Sequence, residues 1–153
     1  TKLYNRHYFN RFFINNEQHD KSAGAGMCLV MIDIDYFKEI NDTLGHNVGD
    51  RILEQVSQVL QHCVRDSDVV ARWGGEEFVI LCQQSSLPLV ESLCVRIAQR
   101  INNYQFTDNV HLTCSFGIAK LAENEPIQLC FERADRALYR AKAQGRNQMC
   151  IDT

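Results

Sequence analysis

The sequence contains little proline and glycine, with 2 Pro and 8 Gly among its 153 residues. Collagen-like chains and low-complexity disordered chains are rich in these residues, so both classes are excluded. An excess of basic charge is missing too, because 16 Lys and Arg face 19 Asp and Glu and leave a formal net charge of -3. Bulk charge therefore cannot hold a polyanion such as duplex DNA. We expect no nucleic-acid partner, and local groups must meet any phosphate-bearing ligand.

Long apolar runs are also lacking. The longest, residues 27–32, is far shorter than the roughly 20 residues that a transmembrane helix needs. No charged segment followed by an apolar one marks a signal peptide, and the chain starts at Thr1 without an initiator Met. We expect one domain over residues 1–153, without membrane contact and taken from the interior of a longer chain.

The cysteines never form a CxxC pair, which argues against the common zinc and redox motifs. Most lie within apolar strand or helix patterns, where a free cysteine behaves as a small hydrophobic residue. Their odd number and the absence of a secretory signal favour reduced, structural thiols in a cytosol. The seven positions are Cys28, Cys63, Cys82, Cys94, Cys114, Cys130 and Cys150.

Hydrophobic spacing predicts a mixed α+β chain. The predicted helices are 5–16, with Asn5 as N-cap, 36–44, 48–64, 89–101 and 128–143. The predicted strands are 27–35, 69–73, 78–82, 111–119 and 149–151, and the second and third form a hairpin. A polar loop is expected over 17–26. After the first helix, the order of elements matches a ferredoxin-like βαββαβ core, with a partly antiparallel sheet and helices expected on one face.

Acidic residues gather at the ends of two predicted strands. Asp33 and Asp35 alternate with isoleucines, which puts both on one strand face, while Glu76 and Glu77 occupy the hairpin tip. Neighbouring strands would bring these acids together, and converging carboxylates bind hard cations such as Mg²⁺. The alternative is that they are solvated strand-end acids and an ordinary polar turn.

Two glycines, Gly74 and Gly75, precede the acids of the tip. We expect them where the turn needs a positive φ or a close approach, or where a nucleotide must approach the backbone.

The tip RWGGEEF, residues 72–78, resembles the signature of the GGDEF family of diguanylate cyclases in its GGEEF variant. Four further runs resemble landmarks of that family: LYNRHYF (3–9), MIDIDYFKEINDTLGHNVGDRIL (31–53), SFGIA (115–119) and RADRALYRAKAQGRN (133–147). The resemblance implies a palm-type fold, as in nucleotide cyclases and polymerases. It also implies that two GTP molecules are condensed into cyclic di-GMP with release of pyrophosphate.

The resemblance carries roles to individual residues. It implies Mg²⁺ or Mn²⁺ ligands at Asp33, the Ile34 carbonyl and Glu76. Glu77 would lie near the reacting hydroxyl or a second metal, and either Glu76 or Glu77 could act as base. The implied GTP contacts are Phe37, Lys38, Asn41, His46, Asp50, Gly74, Gly75, Lys142 and Arg146, with Lys38 also counted among the catalytic groups.

Local structure offers simpler explanations for several of these residues. Asn41 and Asp50 suit a turn around Gly45, and Lys142 and Arg146 suit a basic helix end that complements the helix dipole. For each, the family match favours the functional interpretation.

Arg65 and Asp68 form an RxxD pair upstream of the tip, at the spacing of the family's product-inhibition site. Arg96 is a further candidate contact for cyclic di-GMP there. A bare RxxD is more often a surface ion pair.

The resemblance also implies that catalysis needs a homodimer, because each domain binds one GTP, and that a preceding sensory or dimerisation region drives the pairing in a bacterial cytoplasm.

Trp73 stands where the family often has Tyr. Two rival functions remain open: a catalytically silent GTP or cyclic di-GMP receptor, and a passive interaction domain.

Overall fold

The computed structural model describes residues 3–17 and 26–153, with the side chains of residues 12–17 left out. The loop expected over 17–26 therefore falls almost wholly outside the described residues, as do the side chains of Phe12 and Phe13. The strands are β1 (Leu3–Asn5), β2 (Cys28–Ile34), β3 (Val69–Arg72), β4 (Glu77–Cys82), β5 (Cys114–Lys120) and β6 (Met149–Asp152). The helices are α1 (Arg6–Glu17), α2 (Phe37–Leu44), α3 (His46–Cys63), α4 (Leu87–Asn103) and α5 (Ile127–Ala143).

The described strands form one sheet in the order β1-β3-β4-β2-β5-β6. Strand β2 lies antiparallel to both β4 and β5, while β1 runs parallel to β3 and β6 runs parallel to β5. All seven residues of β2 are buried, which explains why its sequence is almost continuously apolar. The expected α+β core with its antiparallel hairpin is confirmed.

Helices cover both faces of the sheet, so the expectation of helices on one face was wrong. On one face, Val30 and Ile32 pack with residues of α3 and α4 such as Val56 and Ile97. On the other, Leu29 and Met31 pack with α1 and α5. Alternate side chains of a strand point to opposite faces, so a strand apolar at every position must be covered on both sides.

Helix α5 packs directly on β5 at Gly117. A Cβ at this position would overlap the Ala134 carbonyl oxygen and the Leu138 amide nitrogen. The missing side chain lets α5 lie close to the sheet, and its last turn then reaches the end of β2.

Most predicted boundaries agree with the structure to within a few residues. The Asn5 side chain caps α1 by accepting a hydrogen bond from the Tyr8 amide at 2.8 Å, as expected. Strand β5 begins at Cys114 rather than at His111, which is exposed. Leu89, at which the predicted helix 89–101 begins, is 60% exposed and does not belong to the core.

All seven cysteines are free. Burial raises the pKa of Cys82, Cys94 and Cys114, which keeps these thiols protonated. Within residues 3–17 and 26–153, no helix combines the length and the apolar character that crossing a membrane requires.

Candidate active site

The acids of the two strand ends meet where β2 lies beside β4. Asp33 and Glu77 are register partners on these antiparallel strands, so their side chains lie on the same face of the sheet. The Ile34 amide donates a hydrogen bond to the Glu76 carbonyl at 3.3 Å, which holds the hairpin tip against the end of β2. The predicted convergence of Asp33, Glu76 and Glu77 is therefore present.

Lys142, in the last turn of α5, forms an ion pair with the Asp33 carboxylate. Burial nevertheless raises the pKa of Asp33, because loss of solvent, with the nearby charges of Glu76 and Asp35, outweighs the attraction of the ammonium group. The pKa of Glu77 is also raised, first by burial and then by the charge of Asp33. Two neighbouring carboxylates thus share a site that disfavours their negative charge.

The donors at this site are hard oxygen atoms: the carboxylates of Asp33 and Glu76 and the main-chain carbonyl of Ile34. Among the described residues, no three His, Cys, Asp or Glu side chains stand in metal-binding geometry. Mg²⁺, however, is usually held by one or two carboxylates together with substrate phosphates and water, rather than by a complete protein cage. A divalent cation would also offset the burial and the repulsion that raise both carboxyl pKa values. The residues present therefore fit such an ion.

Asp35 has a different role from Asp33. Its carboxylate accepts hydrogen bonds from Ser115 Oγ at 2.7 Å, from Thr113 Oγ1 at 2.6 Å and from the Asn147 amide at 3.0 Å. These contacts occupy both carboxylate oxygens. The expectation that Asp33 and Asp35 act together as converging cation ligands therefore does not hold for Asp35.

The glycines of the hairpin tip adopt ordinary backbone conformations. Neither Gly74 nor Gly75 has a positive φ, so the expectation of a positive φ at these glycines was wrong. A Cβ at Gly75 would meet nothing within 4 Å, and one at Gly74 would only touch the Glu77 side chain at an ordinary 3.5 Å. Nothing in the described chain therefore requires glycine at these two positions, which leaves open space above the tip. Arg72 holds the tip from one side by donating to the Gly74 carbonyl at 3.3 Å and to the Gly75 carbonyl at 2.9 Å.

Helices α2 and α3 meet closely at Asn41 and Gly49. A Cβ on Gly49 would overlap the Asn41 side-chain oxygen and would stand 3.3 Å from Phe37 Cζ. That Asn41 oxygen is buried and has no hydrogen-bond partner among the described residues. A buried acceptor without a partner is costly, so this oxygen is free to accept a hydrogen bond from a group outside the described residues. His46 and Asp50 lie exposed on the first turns of α3.

The basic candidates lie around the start of α2 and the end of α5. Lys38 is exposed, whereas the Phe37 side chain is buried in the core, so only the main chain of Phe37 can meet a ligand. The Arg146 guanidinium lies over the Tyr36 ring, 4.8 Å from its centroid. Of these basic residues, Lys142 is the one that contacts the acids.

Sequence reasoning missed the aromatic support of the hairpin tip. Trp73 stacks on Phe131 of α5, with ring centroids 4.8 Å apart, and meets the ring of Phe9 edge-on at 5.7 Å. The Arg6 guanidinium lies 4.6 Å from the centroid of the Trp73 ring. The only local signal was the indole itself beside the tip, and nothing in the spacing indicated which rings would receive it.

Arg65 and Asp68 lie in the turn between α3 and β3, away from the acids. The buried Asp68 carboxylate accepts from the Arg65 amide at 3.0 Å and from its guanidinium at 3.4 Å. Arg65 also donates to the Gln83 carbonyl at 2.6 Å while its side chain stays 52% exposed. Arg96 of α4 donates to the Cys63 carbonyl at 3.5 Å, so both arginines border the end of α3.

Comparison with known proteins identifies the family of the chain. The family model "Diguanylate cyclase, GGDEF domain" matches residues 1–148. The chain is 34% identical over 147 residues to diguanylate cyclase DgcS of Shewanella oneidensis, covering 96% of this chain and 49% of that protein. The chain thus spans about half the length, or less, of the curated relatives it matches.

Solved structures agree as well. The GGDEF domain of DgcB from Caulobacter crescentus in complex with c-di-GMP superposes with a TM-score of 0.91 at 30% identity, covering 99% of this chain and 92% of that one. The active GGEEF domain of a diguanylate cyclase from Vibrio cholerae gives a TM-score of 0.89 at 31% identity, covering 99% of each chain. The chain belongs to the family of diguanylate cyclase GGDEF domains.

Proposed function

We propose that this chain is a diguanylate cyclase domain of the GGEEF variant, which condenses two GTP molecules into cyclic di-GMP and releases pyrophosphate. The observation that carries the proposal is the meeting of buried Asp33 with Glu76 and Glu77, beside the cationic Lys142. Residues 1–153 would act as a single catalytic domain that binds one GTP and faces a second copy with its own GTP.

The carboxylates of Asp33 and Glu76 and the Ile34 carbonyl would hold Mg²⁺ or Mn²⁺. When bound, such an ion polarises a phosphoryl oxygen and lowers the pKa of an attacking hydroxyl. Glu77 lies beside Asp33 and has a pKa raised by burial, so it is suited to accept a proton from the 3′-hydroxyl. Glu76 is the other candidate for this proton.

Asn41, His46 and Asp50 would surround the guanine base. The partnerless oxygen of Asn41 suits the N1–H or the amino group of guanine, and the Asp50 carboxylate can accept a second hydrogen bond. At the same N1 and C2 edge, adenine presents an acceptor and a C–H group, so it would leave the Asn41 oxygen unpaired there. This difference gives a physical basis for selecting GTP over ATP.

The triphosphate would lie between the hairpin tip and the end of α5. Lys38, Lys142 and Arg146 would supply positive charge, with the main-chain amide of Phe37 at the start of α2. The open space at Gly75 allows phosphates to approach the backbone of the tip. Local groups then provide the cationic surface that a chain with a net charge of -3 lacks overall.

A direct test fuses the chain to a dimerising helix and incubates it with GTP and Mg²⁺, with products identified by mass spectrometry. We expect cyclic di-GMP and pyrophosphate from the fusion and neither from its Glu76→Ala variant. Arg136→Ala, which changes an exposed residue on the outer part of α5, is the matched control that should keep activity. Tight cyclic di-GMP binding without turnover in the dimeric protein would instead support the silent receptor.

A second proposal concerns product inhibition at Arg65, Asp68 and Arg96. Supporting it, the buried Asp68 fixes the Arg65 main chain while half of the Arg65 side chain remains accessible. An arginine held in this way can meet a phosphate or a guanine edge with little loss of conformational freedom.

A further inference from the structure

We propose that Asp35 is a positioning residue that fixes the turn carrying Arg146, and through it the cation that would bind the GTP phosphates. This inference rests on the proposed function for its effect on GTP, although the contact between Asp35 and the turn is independent of it. The family signature groups Asp35 with Asp33, yet the two carboxylates have unrelated partners in the structure.

The Asp35 side chain joins three parts of the fold. It is 5% exposed. Its carboxylate accepts hydrogen bonds from the hydroxyl groups of Thr113 and Ser115, around the start of β5, and from the Asn147 amide in the turn after α5. Its own amide donates to the Thr113 carbonyl at 2.9 Å. A carboxylate with both oxygens engaged in this way is a structural anchor rather than a ligand awaiting a cation.

The turn that Asp35 holds has an unfavourable backbone conformation. Gly145 has φ 120°, and it is followed by two non-glycine residues with positive φ, Arg146 at 65° and Asn147 at 50°. On the helix side, the Gly145 and Arg146 amides donate to the carbonyls of Lys142 and Ala141, the pattern that commonly ends a helix at glycine. Asparagine tolerates the left-handed region, but arginine rarely adopts it, so Arg146 keeps this conformation only where its surroundings hold it.

The bond from the Asn147 amide to Asp35 supplies that hold on the far side of the turn. It stops the chain from relaxing after Arg146 and so directs the guanidinium over the Tyr36 ring, 4.8 Å from its centroid. Tyr36 follows Asp35 directly and is itself left-handed, with φ 58°. Asp35 therefore fixes both members of the Tyr36–Arg146 contact, one through its own main chain and one through its side chain.

The experiment is Asp35→Asn in the dimerised chain, measured in three ways. Replacing the carboxylate by a side-chain amide weakens the charge-assisted hydrogen bond from the main-chain N–H of Asn147. The N–H of Asn147 should therefore exchange with deuterium faster in the ligand-free protein. The KM for GTP should rise about tenfold, as expected when one hydrogen bond to a charged group is lost, while kcat changes less. In an Arg146→Ala background, Asp35→Asn should add little further loss, because both changes remove the same contact.

The control is Glu125→Gln, which also converts a well-shielded, hydrogen-bonded carboxylate to an amide, here one paired with Arg133 far from the site. It should lower thermal stability without moving the KM for GTP. A normal KM in Asp35→Asn, or losses that add fully to those of Arg146→Ala, would overturn the inference. A fall in kcat with an altered Mg²⁺ requirement would also overturn it, since Asp35 would then act as a metal ligand.

Two further outcomes keep this test separate from the proposed function. If the parent protein makes no cyclic di-GMP, the function fails, while exchange at the Asn147 amide still decides whether Asp35 holds the turn. If Asp35→Asn does not fold, Ser115→Ala removes a single donor to the same carboxylate and should produce smaller changes in the same direction. Unchanged exchange and KM in that variant would count against the inference.

Discussion

The indole ring of Trp73 lies stacked on Phe131, with an interplanar angle of 19° and 4.8 Å between ring centroids. Trp73 immediately precedes the glycines of the hairpin tip, and its amide donates to the Glu77 carbonyl at 2.8 Å. The stack therefore joins α5 to the hairpin that carries Glu76 and Glu77. Because α5 also carries Lys142, the acids and their cation are held by one helix.

The first prediction follows from this stack. Trp73→Ala should cost roughly 3 kcal/mol of stability, as truncation of large aromatic residues does, and it should also lower kcat because the tip loses its support. Trp73→Tyr should keep most of the stability and most of kcat, since a smaller ring can still lie on Phe131. Chemical denaturation and steady-state rates on the same samples measure the two effects.

Tyr104→Ala is the control for the first prediction, because Tyr104 packs on Phe106 at a ring distance of 4.6 Å, remote from the tip. It should lower stability and leave kcat unchanged at temperatures where it stays folded. If Trp73→Ala kept full kcat while folded, the stack would have no part in positioning the acids.

The meeting of the acids could be predicted from the sequence because the order of elements matches a ferredoxin-like core, in which the first core strand lies beside the hairpin. That topology brings Glu77 next to Asp33, and the structure pairs these two residues. The helix cap at Asn5 could also be predicted, because its donor, the Tyr8 amide, lies only three residues further along the chain. Local chemistry of this kind survives in any fold that contains the element.

The partners of Asp35 could not be predicted, because Thr113 and Ser115 are 78 and 80 residues away along the chain. No local pattern distinguishes a carboxylate with three distant donors from one that faces solvent. The conformations of Gly74 and Gly75 were missed for a related reason. Neither glycine uses the backbone conformations that only glycine adopts easily, so an expectation drawn from turn geometry did not apply to them.

The second prediction concerns Gly49, where an added methyl group would displace the Asn41 side chain. Gly49→Ala should lower kcat/KM for GTP by roughly tenfold or more, because the Asn41 oxygen leaves the position in which it would accept from guanine. Discrimination between GTP and ATP should fall as well. Kinetics with both nucleotides measure the change.

The double variant Gly49→Ala with Asn41→Ala separates misplacement from damage to the helices. Removing the Asn41 amide relieves the overlap, and alanine is favoured over glycine inside a helix, so stability should recover. Activity with GTP should stay low. Recovery of activity in the double variant would contradict a role for Asn41 in base recognition.

The third prediction uses Gly75, at which a Cβ would have open space and an ordinary backbone. Gly75→Ala should change the free energy of unfolding by no more than about 0.5 kcal/mol, as for a surface substitution. Turnover of GTP should nevertheless fall, because the methyl group projects into the space that the phosphates would use. Gly117→Ala gives the contrast, since it should unfold the protein. Full activity in Gly75→Ala would show that nothing approaches the tip there.

The fourth prediction concerns pH. Burial raises the pKa of Asp33 above its unfolded value, so the folded protein binds this proton more tightly than the unfolded chain does. At a pH above the folded pKa, the ionised Asp33 carboxylate therefore lowers the free energy of unfolding. This loss disappears as the pH falls towards the ordinary carboxyl pKa and Asp33 becomes protonated. In metal-free protein, Asp33→Asn should be more stable than the parent at pH 7, and the two should converge in acid.

Glu125 provides the opposite case for the same measurement. Its hydrogen-bonded ion pair with Arg133 lowers its pKa, so it contributes stability above its unfolded pKa, and this is lost as the pH falls through the folded pKa. Glu125→Gln should therefore be less stable than the parent at pH 7, with the difference vanishing in acid. Melting temperatures across the pH range in a chelating buffer compare the two variants, and a destabilised Asp33→Asn at pH 7 would contradict the role of burial.

The last prediction tests product inhibition at the RxxD turn. Arg65 reaches solvent although its main chain is fixed by Asp68, so Arg65→Ala removes an accessible guanidinium while the carboxylate keeps its bond to the residue 65 amide. The concentration of cyclic di-GMP that halves the initial rate should rise at least about tenfold, as expected for loss of a charge-assisted contact to phosphate. Arg136→Ala removes another exposed guanidinium, paired with Asp152 at the far side of the sheet, and should leave that concentration unchanged. Equal inhibition of Arg65→Ala and the parent would mean that the RxxD turn is a surface ion pair and that the product acts elsewhere.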